Sequence, residues 1–335
     1  MTDSVRTGWR RRLVIGLVLG TAALIVALAA SFLLRPFWWL ERIGKSMLRS
    51  AGLERVELKG ARGPLVYWRG GSGPTLVLLH GANDQAGAWA RVAARLAQSR
   101  RLVVLDLPGH GESGPKDGPL SAGDLLRGVE QVVAAEAGHG RATLLGNSLG
   151  GYLAMLCAFR QPERVRQVIL LNGAAIHSDP GVAINLLPRT RQEARAALEA
   201  LTDPASPPAP GFLLDDLVRR GAGSPLARLL EAPEDPHLRL DERLGEMATP
   251  VTLVWGESDR LLPVAYAEEV RSRLTAARLE ILPHCGHVPQ RECPELAVAA
   301  IERALAEPPV AGAHALAGGP GATESSGSRD AVGGR

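Results

Sequence analysis

Ser148 stands at the centre of Gly146-Asn147-Ser148-Leu149-Gly150, the one G-x-S-x-G run in the chain. A serine hydroxyl is a weak nucleophile until a neighbouring base takes its proton. The run before it, Ala142-Thr143-Leu144-Leu145, is strand-like, and the run after it, Leu149-Gly150-Gly151-Tyr152-Leu153-Ala154-Met155, is helix-like. A strand passing into a helix through so tight a turn strains the serine backbone, needs small residues two positions either side, and lifts Oγ clear of the sheet. The helix N-terminus then offers N–H groups to a developing negative charge. A glycine-rich turn holding an incidental serine is the plainer alternative; the strand and helix on either side favour a nucleophile.

Such a serine needs a base. His287, in Pro283-His284-Cys285-Gly286-His287-Val288-Pro289, follows the last strand-like run, with Gly286 before it and a helix-like segment from Pro294 onward. His284 competes for the role. His80, His110, His139, His177, His237 and His314 read as loop or surface residues. The base must be held in one tautomer, usually by a buried carboxylate. Asp259 in Trp255-Gly256-Glu257-Ser258-Asp259-Arg260 is the candidate; Glu257 is its rival, and a solvated loop aspartate beside Arg260 is the plainer reading. For an oxyanion, one donor is expected from the backbone N–H of Leu149. A second is expected from Ala82 or Asn83, in the loop after Leu79.

These residues need a frame, and the apolar pattern supplies one. Arg55–Leu58 and Leu65–Trp68 read as a hairpin turning at Gly60 and Gly63. Thr75–Leu79, Leu102–Leu107, Ala142–Leu145, Val168–Leu171, Val251–Trp255 and Leu279–Leu282 are short apolar runs, most closed by Gly or Pro. Runs of that kind suit strands buried on both faces of a parallel sheet. Helical composition over Trp89–Ala97, Asp124–Ala137 and Leu149–Arg160 makes the alternation that of a doubly wound α/β sheet. Between Asn172 and Pro250 no strand-like run occurs, which predicts a helical insertion with an elbow at Pro204, Pro207, Pro208 and Pro210. The Gly-, Ala- and Ser-dominated tail buries too little apolar surface to offset its ordering entropy.

Leu13 to Leu34 carries no charged side chain. About 20 apolar residues span a bilayer core as a helix. Arg10–Arg12 precede the stretch, Arg35 and Pro36 close it, and Trp38 and Trp39 stand where interfacial aromatics belong. A cleavable signal peptide is the rival, but its apolar region is usually shorter; a core helix fits less well, since every face is apolar. A retained anchor over 13–34 is expected. Arginines and lysines nearly balance across it, and the catalytic part is expected outside the cytoplasm. A formal charge of +3, with much of the excess flanking this stretch and no basic run in the body, argues against nucleic-acid binding. Metal-type Cys/His spacing is absent, and the sparse set Cys157, Cys285 and Cys293 reads as three free thiols, the alternative being a Cys285–Cys293 pair.

His80-Gly81, Asp106-Leu107-Pro108-Gly109-His110-Gly111-Glu112-Ser113, Gly146–Gly151, Gly256–Asp259 and Gly286-His287 together resemble the α/β-hydrolase superfamily in order and separation, over about 55–306. The resemblance implies a mostly parallel eight-stranded sheet flanked by helices and no cofactor. It also implies a catalytic core over 55–173 and 248–306 and a helical cap over 174–247. The basic segment 1–12, the anchor 13–34 and a disordered tail 307–335 complete the expected organisation. Residue by residue the resemblance supports Ser148, Asp259 and His287 as a triad and Ala82 with Leu149 as oxyanion donors; Asp106–Ser113 is then scaffold. With its anchor, the chain is similar to membrane-bound monoacylglycerol lipases and related esterases, which implies an apolar, lipid-like ester as substrate. Serine at the elbow argues against dehalogenase and epoxide-hydrolase chemistry, which use aspartate there. Two alternatives stay open: a carbon–carbon hydrolase of the meta-cleavage type, and a slowly hydrolysing ligand-binding protein on the same fold.

Overall fold

The computed structural model describes residues 3–138, 140–176 and 184–308. His139, His177, His314 and most of the expected tail lie outside the described residues. Helix α1 (Asp3–Leu34) runs to Arg35, where helical geometry breaks (φ −139°, ψ 56°). The break has a local cause: Pro36 disfavours the α region for the residue before it, while its fixed φ suits the first position of a new helix. That helix is α2 (Pro36–Ser50). Within α1, Arg12–Leu34 has a mean hydropathy of 2.7 and no buried residues in its apolar window, so it is long and apolar enough to cross a membrane.

A hairpin of β1 (Glu54–Gly60) and β2 (Gly63–Gly70) leads into β3 (Thr75–Leu79), α3 (Ala90–Leu96), β4 (Arg101–Leu105) and α4 (Ala122–Ala137). Then come β5 (Ala142–Ser148), α5 (Leu149–Arg160) and β6 (Val165–Gly173). Helices α6 (Arg191–Leu201), α7 (Gly211–Gly221) and α8 (Pro225–Leu230) are inserted before β7 (Val251–Gly256). The chain continues through α9 (Val264–Arg273), β8 (Ala277–Leu282), α10 (Pro289–Glu292) and α11 (Pro294–Ala306). The eight strands form one sheet in the order β1-β2-β4-β3-β5-β6-β7-β8. The pairs β1–β2 and β2–β4 are antiparallel and all others parallel.

Alternate strand residues feed two cores. Val77, Leu79, Val103, Leu105, Leu144 and Leu170 pack with α4, α5 and α9 on one face. Leu76, Leu78, Leu102, Val104, Leu145 and Ile169 pack with α3 and α11 on the other. Each side chain so buried contributes about 1.5–3 kcal/mol, and coverage of both faces is why the strands read as unbroken apolar runs. Helix α2 joins the second core through Leu48, which is fully buried. Its Gly44 approaches Gly87 so closely that a Cβ would sit 3.0 Å from the Gly87 Cα.

One expectation needs correction. Cys285 and Cys293 are joined in a disulfide, with Cα atoms 6.0 Å apart, and only Cys157 of the three is a free thiol. The one-turn helix α10 folds the chain back on itself, a geometry that the cysteine spacing does not reveal. His80 and His110 lie in loops, as expected, with side chains that are buried and packed edge to face, ring centroids 5.2 Å apart. His237 is exposed, as expected.

Candidate active site

The elbow is built from contacts that admit no larger residue. Ser148 has φ 51° and ψ −120° at the junction of β5 and α5, a region costly for a side chain other than glycine. A Cβ on Gly150 would be driven into the carbonyl of Leu79, and one on Gly146 into the carbonyl of Gly150. The small residues of the motif are therefore demanded by close backbone packing beneath the serine.

Three loops converge on Ser148. Gly81, after β3, comes so near that a Cβ there would lie 3.2 Å from the Ser148 Cβ. His80 holds that loop from below. Its Nε2 accepts the Leu107 N–H at 3.0 Å, so its proton sits on Nδ1, which donates to the Gly81 carbonyl at 2.7 Å. Burial lowers the pKa of His80, in keeping with a neutral ring that can accept a backbone hydrogen bond. Asn83, with φ 57°, accepts the Leu226 N–H at 2.9 Å and so ties the same loop to α8. Asp106 accepts from the N–H groups of Ala86 and Glu112 at 2.6 and 2.7 Å, a scaffold arrangement.

The second loop follows β8. His287 is buried there, and its Nδ1 lies 2.7 Å from Asp259 Oδ2. Among the described residues its Nε2 has no hydrogen-bond partner, and the ring lines the cavity that Ser148 also lines. His284 is exposed, with φ 54°, and Glu257 is exposed as well. The third loop carries Asp259 behind β7. The Leu261 and Leu262 N–H groups each reach its Oδ1 at 2.9 Å.

Two asparagines that the sequence analysis did not single out hold these loops in register. Asn172, fully buried at the end of β6 with φ 48°, donates from Nδ2 to Asp259 Oδ2 at 2.6 Å. Its Oδ1 accepts the Gly256 N–H at 3.0 Å. Asn147 donates to the carbonyls of Leu171 and His287 at 2.8 and 2.9 Å, linking elbow, sheet and histidine loop. The available signal was a polar residue ending, or set within, an apolar strand, since a buried amide must find partners. The disulfide straps the ends of the segment containing His287, and Glu292 accepts the Gly286 N–H at 2.6 Å.

The cavity over Ser148 has a volume of about 460 Å³. Gly81, Ala82, Asn83, Ser148 and His287 lie on its floor side, while Leu198, Leu201, Leu217 and Leu226 come from the inserted helices. Leu149, the first residue of α5, directly follows the serine. Among the described residues two guanidinium groups line the cavity, and both are paired: Arg220 with Glu41, and Arg291 with Asp84 at 2.5 Å. Asp259 lies behind His287 and does not line the cavity.

Residues 76–301 match a family model described as the alpha/beta hydrolase family. A solved membrane phospholipase A, described as a bacterial virulence factor, aligns with a TM-score of 0.69 and 30% identity over 88% of this chain and 98% of its own. The pimeloyl-[acyl-carrier protein] methyl ester esterase of Nitrosomonas europaea is 31% identical over 67% of this chain and 93% of its own. A 2-hydroxy-6-oxononadienedioate/2-hydroxy-6-oxononatrienedioate hydrolase of Cupriavidus pinatubonensis is 29% identical over 67% of this chain and 83% of its own.

Proposed function

Since the chain belongs to the alpha/beta hydrolase family, we propose that it is a membrane-held serine esterase acting on an apolar, lipid-like acyl ester through an acyl-enzyme on Ser148. The observation that carries this reading is His287, bound to Asp259 through Nδ1, with Nε2 unpartnered among the described residues and the residue lining the cavity that Ser148 also lines. In the proposed reaction Nε2 takes the Ser148 proton as Oγ attacks the ester carbonyl. The oxyanion is held by the N–H groups of Leu149 and Ala82. His287 then protonates the departing alcohol, and water repeats the sequence to release the acid. Asp259 stabilises the imidazolium without taking its proton.

The cavity supports a neutral, apolar substrate. A dioate of the kind named for the Cupriavidus enzyme brings two carboxylates, and both guanidinium groups lining this cavity are already paired with acids. The partner acids Glu41 and Asp84 also line the cavity, so the carboxylates of such a substrate would meet like charge beside each guanidinium. The helix Arg12–Leu34 supports an anchor. The Cys285–Cys293 disulfide supports an oxidising compartment for the domain, hence the expected extracytoplasmic side.

The test is labelling of the full chain by a fluorophosphonate, wild type against Ser148→Ala, followed by p-nitrophenyl esters of graded length. Labelling that disappears in the variant, with ester turnover in the wild type, is the expected result. Folded wild-type protein that resists labelling would overturn the proposal. Labelling without turnover of any ester would move the reading to carbon–carbon cleavage or slow ligand sensing.

A further inference from the structure

The helix that follows the apolar span is built into the site. Phe37, Leu40 and Glu41 of α2 line the same cavity as Ser148 and His287. Helix α2 is not a loose tether, because it is fastened at both ends. Toward the core, Lys45 reaches Glu112 at 2.9 Å and Gly44 is pressed against Gly87. Toward the inserted helices, Asp216 accepts the Phe37 N–H at 3.1 Å, and Arg219 donates to the Leu34 carbonyl at 2.6 Å. Arg220 pairs with Glu41 and stacks 5.5 Å from the centroid of the Phe37 ring. Phe32 of α1 meets Phe212 of α7 with centroids 5.8 Å apart.

Leu40 both lines the cavity and is 41% exposed, which puts it at the mouth. Along the chain it stands only six residues past Leu34, where α1 ends. At the rise of a helix that is at most roughly 10 Å from the end of the apolar span, which puts it at the outer edge of a headgroup layer about 5–8 Å deep. Glu41 and Arg220, half-open to solvent, flank the same mouth between α2 and α7.

We infer that α2 is part of the substrate site: Phe37 and Leu40 wall the path of the acyl chain, which enters between α2 and α7 from the headgroup layer, and Leu40 limits the chain length accepted. The inference rests on the esterase reading of Ser148. Under it the N-terminal region does more than localise the enzyme, because deleting it would remove one wall of the acyl site.

The experiment uses the full chain in detergent micelles, with fluorophosphonate labelling and kcat/KM for p-nitrophenyl esters of increasing chain length. In Leu40→Trp, kcat/KM for the longest chains falls at least about tenfold relative to the shortest, the discrimination a misfit of a methylene or more produces. In Leu40→Ala the preferred length shifts upward. Met47→Trp, on the same helix but away from the cavity, keeps the wild-type profile. A profile unchanged or uniformly scaled in both Leu40 variants, in protein that still labels, overturns the inference. So does a Met47→Trp profile that matches Leu40→Trp. Failure of the wild type itself to label would instead overturn the esterase reading beneath it.

Discussion

Replacing Asn172 by aspartate tests whether the carboxylate behind His287 depends on that amide. The variant is nearly isosteric, tolerates the positive φ of 48° and keeps the acceptor for the Gly256 N–H. What changes is the Nδ2 donor 2.6 Å from Asp259 Oδ2. At low pH the new carboxyl keeps its proton and donates as the amide did, so stability and activity stay close to wild type. As pH rises that proton must leave, and two buried carboxylates face each other. Two unit charges about 4 Å apart repel by about 4 kcal/mol at an effective dielectric of 20. The sign follows from proton counting: the fold retains a proton that the unfolded chain has already released, so the variant loses stability relative to wild type as pH rises. The loss begins near the unfolded aspartate pKa of about 3.9 and reaches about 1.5 kcal/mol by pH 5 and about 4 kcal/mol by pH 8; at about 2–4 °C per kcal/mol, the melting temperature should drop a further ~5–10 °C relative to wild type between pH 5 and pH 8. The kcat/KM ratio of variant to wild type should decline over the same range. Asn172→Ala is the comparator: it introduces no titrating group, so its deficit stays independent of pH. A difference between Asn172→Asp and wild type that does not change from pH 5 to pH 8, in both melting and kinetics, would show that Asp259 does not depend on the Asn172 amide.

Three further outcomes are expected. Ala82→Pro deletes a backbone N–H at the proposed oxyanion site and should lower kcat by about 10²–10³ with little change in KM; a loss under tenfold in folded protein removes Ala82 from that role. The disulfide closes a short loop, with a sequence separation of 8. Replacing both cysteines by serine should cost about 2.5 kcal/mol by loop entropy, read as a lower melting temperature that dithiothreitol reproduces in the wild type. Burial, and then the neighbouring His80, push His110 down to about 3 from 6.5. The unfolded chain therefore takes up a proton below pH 6.5 that the fold refuses. Stability is greatest above that pH and falls by about 1.36 kcal/mol per unit toward pH 3. His110→Gln should flatten the melting temperature against pH between 6 and 4.

The strands were legible because their signal is local: a strand covered on both faces must be apolar at every position, and each run ends where the backbone turns. The serine elbow was legible for the same reason, since its steric demands are met by contiguous residues from Gly146 to Gly150. Helix α2 was less so. Its buried positions, Pro36, Gly44 and Leu48, form a narrow seam, and nothing in that spacing says the seam faces Gly87 or that the first turns of the helix wall a cavity.

The residues alone singled out the candidate serine, the order of the elements and short lists of candidates for base and acid. Tertiary structure decided between the listed residues: His287 over His284 as the ring that meets a buried carboxylate, and Asp259 over Glu257 as that carboxylate. It also decided for the Cys285–Cys293 pair over free thiols, and brought together what the sequence did not single out: the two asparagines beneath the loops, the buried pair His80–His110 and the α2 residues that line the cavity. The physical reason is the same throughout. Backbone propensity and burial periodicity act within a few residues, whereas a hydrogen bond such as Asn172–Asp259 exists only once segments far apart in sequence have been packed side by side.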